Sequence, residues 1–346
     1  MTWRGTRGIT LAELRQDIVT GQWVVVATAR AMRPTDFSAP CYTPEAETGD
    51  CPFCPGNETM TPLELVALRA EDTEPDAPGW QVRVVPNRFP AFEPGEKAKP
   101  SSGIFPRRPA EGSHEVIIHT PEHGKSLASM SVEEVSMVLG VYRDRYLLNR
   151  EDPDVRYIHI IVNHGRESGA SIEHSHSQLF GMPLVPPLVQ QELAGASWRS
   201  TREGSCVFCD IISEEARAGV RVIRESDEFV AIAPFASRFP FEVWIVPRTH
   251  QESFDLITGP QIWDFASVLR DVLGRYHMRF SDPPYNYFIH SAPCDGSRYP
   301  YYHWHLEMIP RLTVPGAMEL GTSMWINITT PEHAADYLTG KVDQGL

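Results

Sequence analysis

Residues 174–178 read His-Ser-His-Ser-Gln. If this run is a strand, its side chains alternate between faces. His174, His176 and Gln178 then point the same way, each about 6.5–7 Å from the next. Imidazole is a capable nucleophile toward phosphorus because it can be neutral near pH 7, and the Gln178 amide can donate to a phosphate oxygen. With His174 anchored by a metal, His176 would be held rigidly with one nitrogen free. The alternative is that both histidines are metal ligands or solvated residues. Upstream, the run from Asn163 to Ser171 (Asn-His-Gly-Arg-Glu-Ser-Gly-Ala-Ser) is a loop whose N–H groups and Ser171 hydroxyl could cradle a phosphate; a generic turn would look much the same.

Six cysteines are present, and four of them form two C-x2-C pairs, Cys51/Cys54 and Cys206/Cys209. In a long chain such pairs read as metal ligands or redox thiols rather than disulfides. Structural zinc takes four N or S ligands in a tetrahedron. The first half offers Cys51, Cys54, His123 and His174, and the second offers Cys206, Cys209, His250 and His303. A redox dithiol is disfavoured because nothing near either pair resembles a thioredoxin-type turn. Close in sequence to His303 lie His290 and His305, and with Glu192 these could make a carboxylate–imidazole site of different metal preference, or be polar residues on a sheet. Cys41 and Cys294 have no assigned role.

The elements that must hold these residues occur twice. Glu115 and His123 are eight residues apart, as are Glu242 and His250. The next histidine follows 51 residues later in one half (His123 to His174) and 53 later in the other (His250 to His303). Three blocks recurring in one order point to duplication of an α/β unit, with a period far beyond that of solenoid repeats. Apolar, β-branched runs predict strands at Trp23–Ala27, Glu115–His119, Val155–Val162, Phe229–Ile232, Phe241–Val246, Tyr285–Ile289 and His303–Ile309. Periodicity predicts helices over Ser131–Asn149 and Gln261–Met278. In the first, Val132, Val135, Met137, Val138, Val141 and Tyr142 share a face, and Ser131 is the N-cap with Glu134 as its capping-box partner. Asp72–Pro78 and Glu93–Pro109 read as loops, and Pro183–Ala196 as a linker. Strands and helices recurring in this way are read as an α+β chain of two tandem halves, divided at 1–192 and 193–346.

The chain of 346 residues carries 31 basic and 45 acidic side chains, a net charge of −14. That balance disfavours nucleic-acid backbones and anionic membranes as partners. A small phosphorylated ligand needs only a few local cations. No run reaches the roughly 18 apolar residues of a spanning helix, and the first residues lack the pattern of a signal peptide. The expected location is the cytoplasm.

Taken together, the stretches GQWVVVATARAMRP, CPFCPGNE, VRVVPNRFPAF, HTPEH, NHGRESGASIEHSHSQ and APFASRFPFEVWIVPRTH resemble the galactose-1-phosphate uridylyltransferase family of the histidine-triad superfamily, over about Arg15 to Asn327. The resemblance implies an α+β fold of two histidine-triad-like halves, each an antiparallel sheet with a packed helix, and assigns His176 as the residue that accepts a nucleotidyl group and then passes it on, giving ping-pong kinetics. It makes Gln178 the contact to the transferred phosphoryl oxygens. Asn163, Gly169 and Ser171 become the phosphate loop and Asn87 a nucleoside contact. It makes Cys51, Cys54, His123 and His174 zinc ligands. Arg30 and Arg33 match a pair that the family supplies from the neighbouring subunit, which implies a homodimer with shared active sites.

The departures bear on the substrate. Ser175 replaces the proline of the family's H-P-H-x-Q motif, and Arg88 replaces an Asp beside Asn87. The hexose-contacting cluster near the C-terminus is lacking, with Glu319 a partial substitute. Zinc at Cys206, Cys209, His250 and His303 is expected in the second half. Iron at Glu192, His290, His303 and His305 is the alternative implied by other members. Glu307 stands where the first half has Gln178, so the second half is expected to be structural. The expected activity is UDP-glucose–hexose-1-phosphate uridylyltransferase. The alternatives are an ADP-glucose phosphorylase-like enzyme, a dinucleoside polyphosphate hydrolase or phosphorylase, and a nucleotide-binding zinc protein without turnover.

Overall fold

The computed structural model describes residues 12–32, 50–95 and 104–343. Arg33 and Cys41 lie outside the described residues. The chain forms β1 (Glu13–Gln16), β2 (Trp23–Val26), β3 (Val66–Arg69), β4 (Trp80–Pro86), β5 (Ser113–Ile118), α1 (Val132–Asn149), β6 (Tyr157–His164) and β7 (His176–Met182). It continues with α2 (Pro187–Glu203), α3 (Val207–Ala218), β8 (Val222–Glu225), β9 (Phe229–Ile232), β10 (Val243–Pro247), α4 (Gly259–Phe280), β11 (Tyr285–His290) and β12 (His305–Pro310). α5 (Ala317–Thr322), β13 (Trp325–Asn327) and α6 (Pro331–Leu338) complete it.

The duplication is realised strand for strand. One ten-stranded sheet has the order β3-β4-β5-β7-β6-β11-β12-β10-β9-β8, so each half contributes the same five-strand order and the halves meet edge to edge at β6 and β11. All neighbours are antiparallel. Joining the halves along β6 and β11 pairs two edges that would otherwise be open. α1 and α4 pack side by side on one face over a common core that includes Val84, Ile117, Val138, Tyr142, Leu179, Phe265, Leu269 and Leu306. Both helices start with a full capping box, Ser131 with Glu134 and Thr258 with Gln261, as the sequence predicted for the first.

The stretch expected to be a linker is instead the start of α2. Pro187 opens the helix, where a missing N–H costs nothing. Val189, Leu193 and Ala196 recur at helical spacing and are buried with α3 against β9 and β10. The polar residues between them conceal that stripe in the sequence. The helix packs so closely that a Cβ on Gly195 would sit 1.8 Å from the Val19 carbonyl oxygen. α2 also runs through position 192/193, so the expected boundary falls inside a helix. β2, the strand expected at Trp23–Ala27, pairs with β1 and, in parallel, with β13, so the first and last strands share a small sheet.

The equal Glu-to-His intervals do not mark equivalent glutamates. Val116 lies opposite Gln178 on β5–β7, whereas Trp244 lies opposite Glu307 on β10–β12. Glu115 therefore faces α1 and holds Arg145 at 2.6 and 2.7 Å, while Glu242 faces the other side and accepts from Trp244 Nε1 at 3.1 Å. A one-residue slip reverses every side chain of a strand. The structural counterpart of Glu242 is His114.

Candidate active site

The sheet face turned away from α1 carries the chemistry. His176 opposes Ile118, Gln178 opposes Val116, and His114 opposes Phe180, so all three polar residues share one face. β7 begins only at His176, leaving His174 in the turn before it. Asn163 lies two places beyond Ile161, which pairs with Gln178, and so stands beside His176 on the same face. Its loop turns through Gly165 and Gly169 at φ 81° and 93°, values that favour glycine, and returns to His174. Ser171 lies exposed on that loop.

Two nitrogens of neighbouring histidines are assigned by backbone carbonyls. His174 Nε2 lies 2.6 Å from the Thr120 oxygen, which requires an N–H there and leaves Nδ1 unprotonated. That Nδ1 is 3.7 Å from Cys51 Sγ and 3.6 Å from Cys54 Sγ, while His123 Nδ1 is 3.3 Å from Cys54 Sγ. His176 Nδ1 donates to the His174 oxygen at 2.8 Å, which leaves Nε2 with a free lone pair. Burial lowers the His176 pKa, against the opposing effect of that hydrogen bond, so the ring is neutral near pH 7. Phe53, between the two cysteines, packs edge-on to His176 with centroids 5.2 Å apart. The metal knuckle thus touches the nucleophile candidate, a contact with no signal in the motif spacing.

The second half repeats this ligand geometry. His250 Nε2 lies 3.1 Å from the Pro300 oxygen and its Nδ1 3.5 Å from Cys209 Sγ. His303 Nδ1 is 4.0 Å from Cys206 Sγ and 3.6 Å from Cys209 Sγ. In both tetrads the four ligand atoms lie within 4.8 Å of one another, and the S2N2 donor set suits zinc. Burial and the neighbouring Cys51 push the Cys54 thiol up to about 11, a cost that a bound cation would offset by stabilising the thiolate.

The expected iron set is corrected by this geometry. His303 belongs with the cysteines, and the third cluster is Glu192, His290, His305 and Glu307, all buried. His290 Nδ1 stands 2.9 Å from Glu192 Oε1, and His305 Nε2 3.5 Å from Glu307 Oε1. Neither nitrogen makes a well-formed hydrogen bond. Arg238 pairs with both Glu307 and Glu242. Three buried carboxylates against one guanidinium leave negative charge that a divalent cation would neutralise, so this cluster fits a metal of mixed N/O preference.

Other expected contacts separate into two places. Asn87 is drawn to the active face: its N–H donates to the His114 oxygen at 2.8 Å, and its Nδ2 lies 3.1 Å from His114 Nε2. Arg30 and Glu319 instead line a cavity of about 280 Å³ with Val314, Gly316 and Trp325, to which neither β5 nor β7 contributes. Glu319 accepts the Gly316 N–H at 2.8 Å as part of the cap of α5. Sequence reading missed His114, Phe53 and His119. His119 lies 2.9 Å from Ser175 Oγ and 3.1 Å from Tyr142 Oη, which gives the serine in the motif a partner. Period-two alternation back from Val116 was the available signal for His114.

Comparison with known proteins now bears on this geometry. A family model described as the N-terminal domain of galactose-1-phosphate uridyl transferase matches residues 2–186, and its C-terminal counterpart matches residues 191–321. The chain belongs to the galactose-1-phosphate uridylyltransferase family. Within this family of nucleotidyltransferases, an ADP-glucose phosphorylase of Arabidopsis thaliana is 35% identical over 329 residues, covering 93% of this chain and 91% of its own. A galactose-1-phosphate uridylyltransferase of Thermotoga maritima is 28% identical over 339 residues, covering 95% and 98%. Among solved structures, an Arabidopsis thaliana ADP-glucose phosphorylase with bound ADP-glucose superimposes with a TM-score of 0.81 at 32% identity, covering 95% of this chain and 98% of that one. A uridylyltransferase structure reaches 0.74 at 28% identity, also covering 95% and 98%. Among the described residues, no helix is long and apolar enough to cross a membrane.

Proposed function

We propose that the protein transfers a nucleotidyl group from a nucleotide sugar through a covalent intermediate on His176. One observation carries this reading: the His176 Nδ1–H is committed to the His174 carbonyl, leaving a neutral Nε2 on the same face as Gln178. Nε2 attacks the α-phosphorus, the N–P bond forms, and the bond to the sugar-phosphate oxygen breaks. An acceptor phosphate oxygen then attacks the same phosphorus, breaking the N–P bond and restoring the neutral ring. Gln178 donates to a non-bridging oxygen as its charge grows. Asn163, Gly169 and Ser171 line the phosphate side, and Asn87 the nucleoside side.

Zinc held by Cys51, Cys54, His123 and His174 would fix the turn before the nucleophile, and zinc at Cys206, Cys209, His250 and His303 would fix its counterpart. The half that contributes β3–β7 is the catalytic half, and the half that contributes β8–β12 is the structural half. Arg30 lines a cavity apart from β5 and β7, which supports reading Arg30 and Arg33 as acting on a partner's site in a homodimer, with Glu319 as the hexose contact. Size-exclusion chromatography with light scattering tests the dimer.

ADP-glucose as donor and inorganic phosphate as acceptor is the favoured substrate pair. The relative of that activity is 35% identical against 28% for the uridylyltransferase. The uridylyltransferase reading stands second, supported by the family models and the 28% relative. Intact-protein mass after incubation with ADP-glucose or UDP-glucose, without acceptor, separates them. Gain of one AMP supports the first, gain of one UMP the second, and gain of neither in a metal-loaded protein overturns both.

A further inference from the structure

We infer that His114 is a positioning residue for Gln178: it holds the amide with its oxygen occupied and its NH2 turned to the transferred phosphoryl group. This rests on the nucleotidyl-His176 reading. The Ala91 backbone N–H points at His114 Nδ1 at 3.1 Å. A backbone N–H can only donate, so Nδ1 is the acceptor and the hydrogen of the neutral ring sits on Nε2. His114 Nε2–H then donates to Gln178 Oε1 at 2.8 Å. Asn87 Nδ2 lies beside the same nitrogen at 3.1 Å, but its N–H cannot share that position, because a neutral ring with two acceptor nitrogens does not exist. The Asn87 oxygen is itself held by the Phe89 N–H at 2.8 Å. Phe180 stacks on the imidazole at 4.1 Å with 27° between planes, which fixes the plane of the donor. Among the described residues, no protein group accepts from Gln178 Nε2.

The consequence concerns amide orientation. An unrestrained Gln presents its oxygen or its NH2 with comparable ease, and an oxygen facing a phosphate repels it. A ring that can only donate toward Gln178 removes the wrong orientation before substrate arrives, the preorganisation on which charge stabilisation depends. Burial lowers the His114 pKa, which keeps the ring neutral. A protonated ring would place a second N–H against the Ala91 N–H. The other half supports the pairing: Glu307 is the counterpart of Gln178, the residue on its cross-strand diagonal, Glu242, is the counterpart of His114, and Arg238 bridges the two carboxylates. Each half ties these two positions together, by a direct hydrogen bond in one and through a shared guanidinium in the other.

The test uses the full-length, zinc-loaded protein and single-turnover formation of the nucleotidyl adduct, followed by mass with the donor that labels the wild type. Gln places an amide nitrogen near the Nε2 position of the imidazole, while Asn places it near Nδ1. H114Q should therefore keep a rate within about threefold of wild type, and H114N should lose roughly 10- to 50-fold, with donor KM changed less than threefold. In a Q178A background the two His114 variants should differ by less than twofold. Equal rates for H114Q and H114N, or an undiminished difference in the Q178A background, would overturn the inference. A wild type that forms no adduct overturns the underlying reading and this inference with it.

Discussion

The two half-sites are built alike and differ at two places on one sheet face. Each has a C-x2-C knuckle with a Phe before its second cysteine, a metal-facing histidine in the turn, and a histidine two residues on whose Nδ1 donates to that residue's carbonyl, at 2.8 Å for His176 and 3.2 Å for His305. In the first half the free Nε2 stands beside a neutral Gln178. In the second the equivalent Nε2 faces Glu307, in a cluster closed by Glu192 and His290. A carboxylate there repels phosphate and attracts cations, so on the proposed function one duplicated frame holds a nucleophile and the other a cation site. The chemistry follows from the charge at one strand position and its cross-strand neighbour.

The largest test of this contrast is a pair of glycine substitutions. His176→Gly should lower turnover at least about 10³-fold, as loss of a covalent nucleophile does, while His305→Gly should leave adduct formation within a few-fold. Steady-state rates of both variants at a temperature where each is folded decide the matter. Next comes the buried ion pair behind the active face. Arg145→Ala leaves the Glu115 carboxylate buried without its bidentate partner and should destabilise the fold by about 3–5 kcal/mol in denaturant titration. Converting the first half to the character of the second is more direct. Gln178→Glu should slow adduct formation on the order of 10²-fold through repulsion, with thermal stability nearly unchanged; a rate close to wild type would break the comparison.

The metal sites should separate along the same line. Cys54→Ser and Cys209→Ser should each release one zinc equivalent by metal analysis. Only the first should lower turnover, by about tenfold or more, because His174 lies two residues from the nucleophile, whereas the second should act through melting temperature. The smallest effects belong to the helix caps. Ser131→Ala and Thr258→Ala should each cost about 1 kcal/mol in equilibrium unfolding, and the two values should agree, since the boxes are equivalent.

Motif spacing carried much of this site because metal and nucleophile chemistry demands particular residue types. The residues of the two Cys2His2 sets come together, His176 and Gln178 share a strand face, and both long helices are legible from their caps and apolar stripes. What escaped was set by neighbours distant in sequence. α2 reads as a linker because only three spaced apolar residues mark its buried face. Glu115 and Glu242 look equivalent by interval, yet their registers differ by one residue. His303 fits two metal sets on paper and only one in space.

The sequence by itself determined the duplication, the family, the candidate metal-ligand types and the run that carries the proposed nucleophile, because these depend on local spacing and side-chain chemistry. The tertiary structure decided which face each side chain occupies, which histidine joins which metal cluster, and that His114 meets Gln178. Those outcomes depend on strand register and on the packing of α2 against the sheet, where a shift of one residue exchanges the face of His176 for that of a buried ion pair.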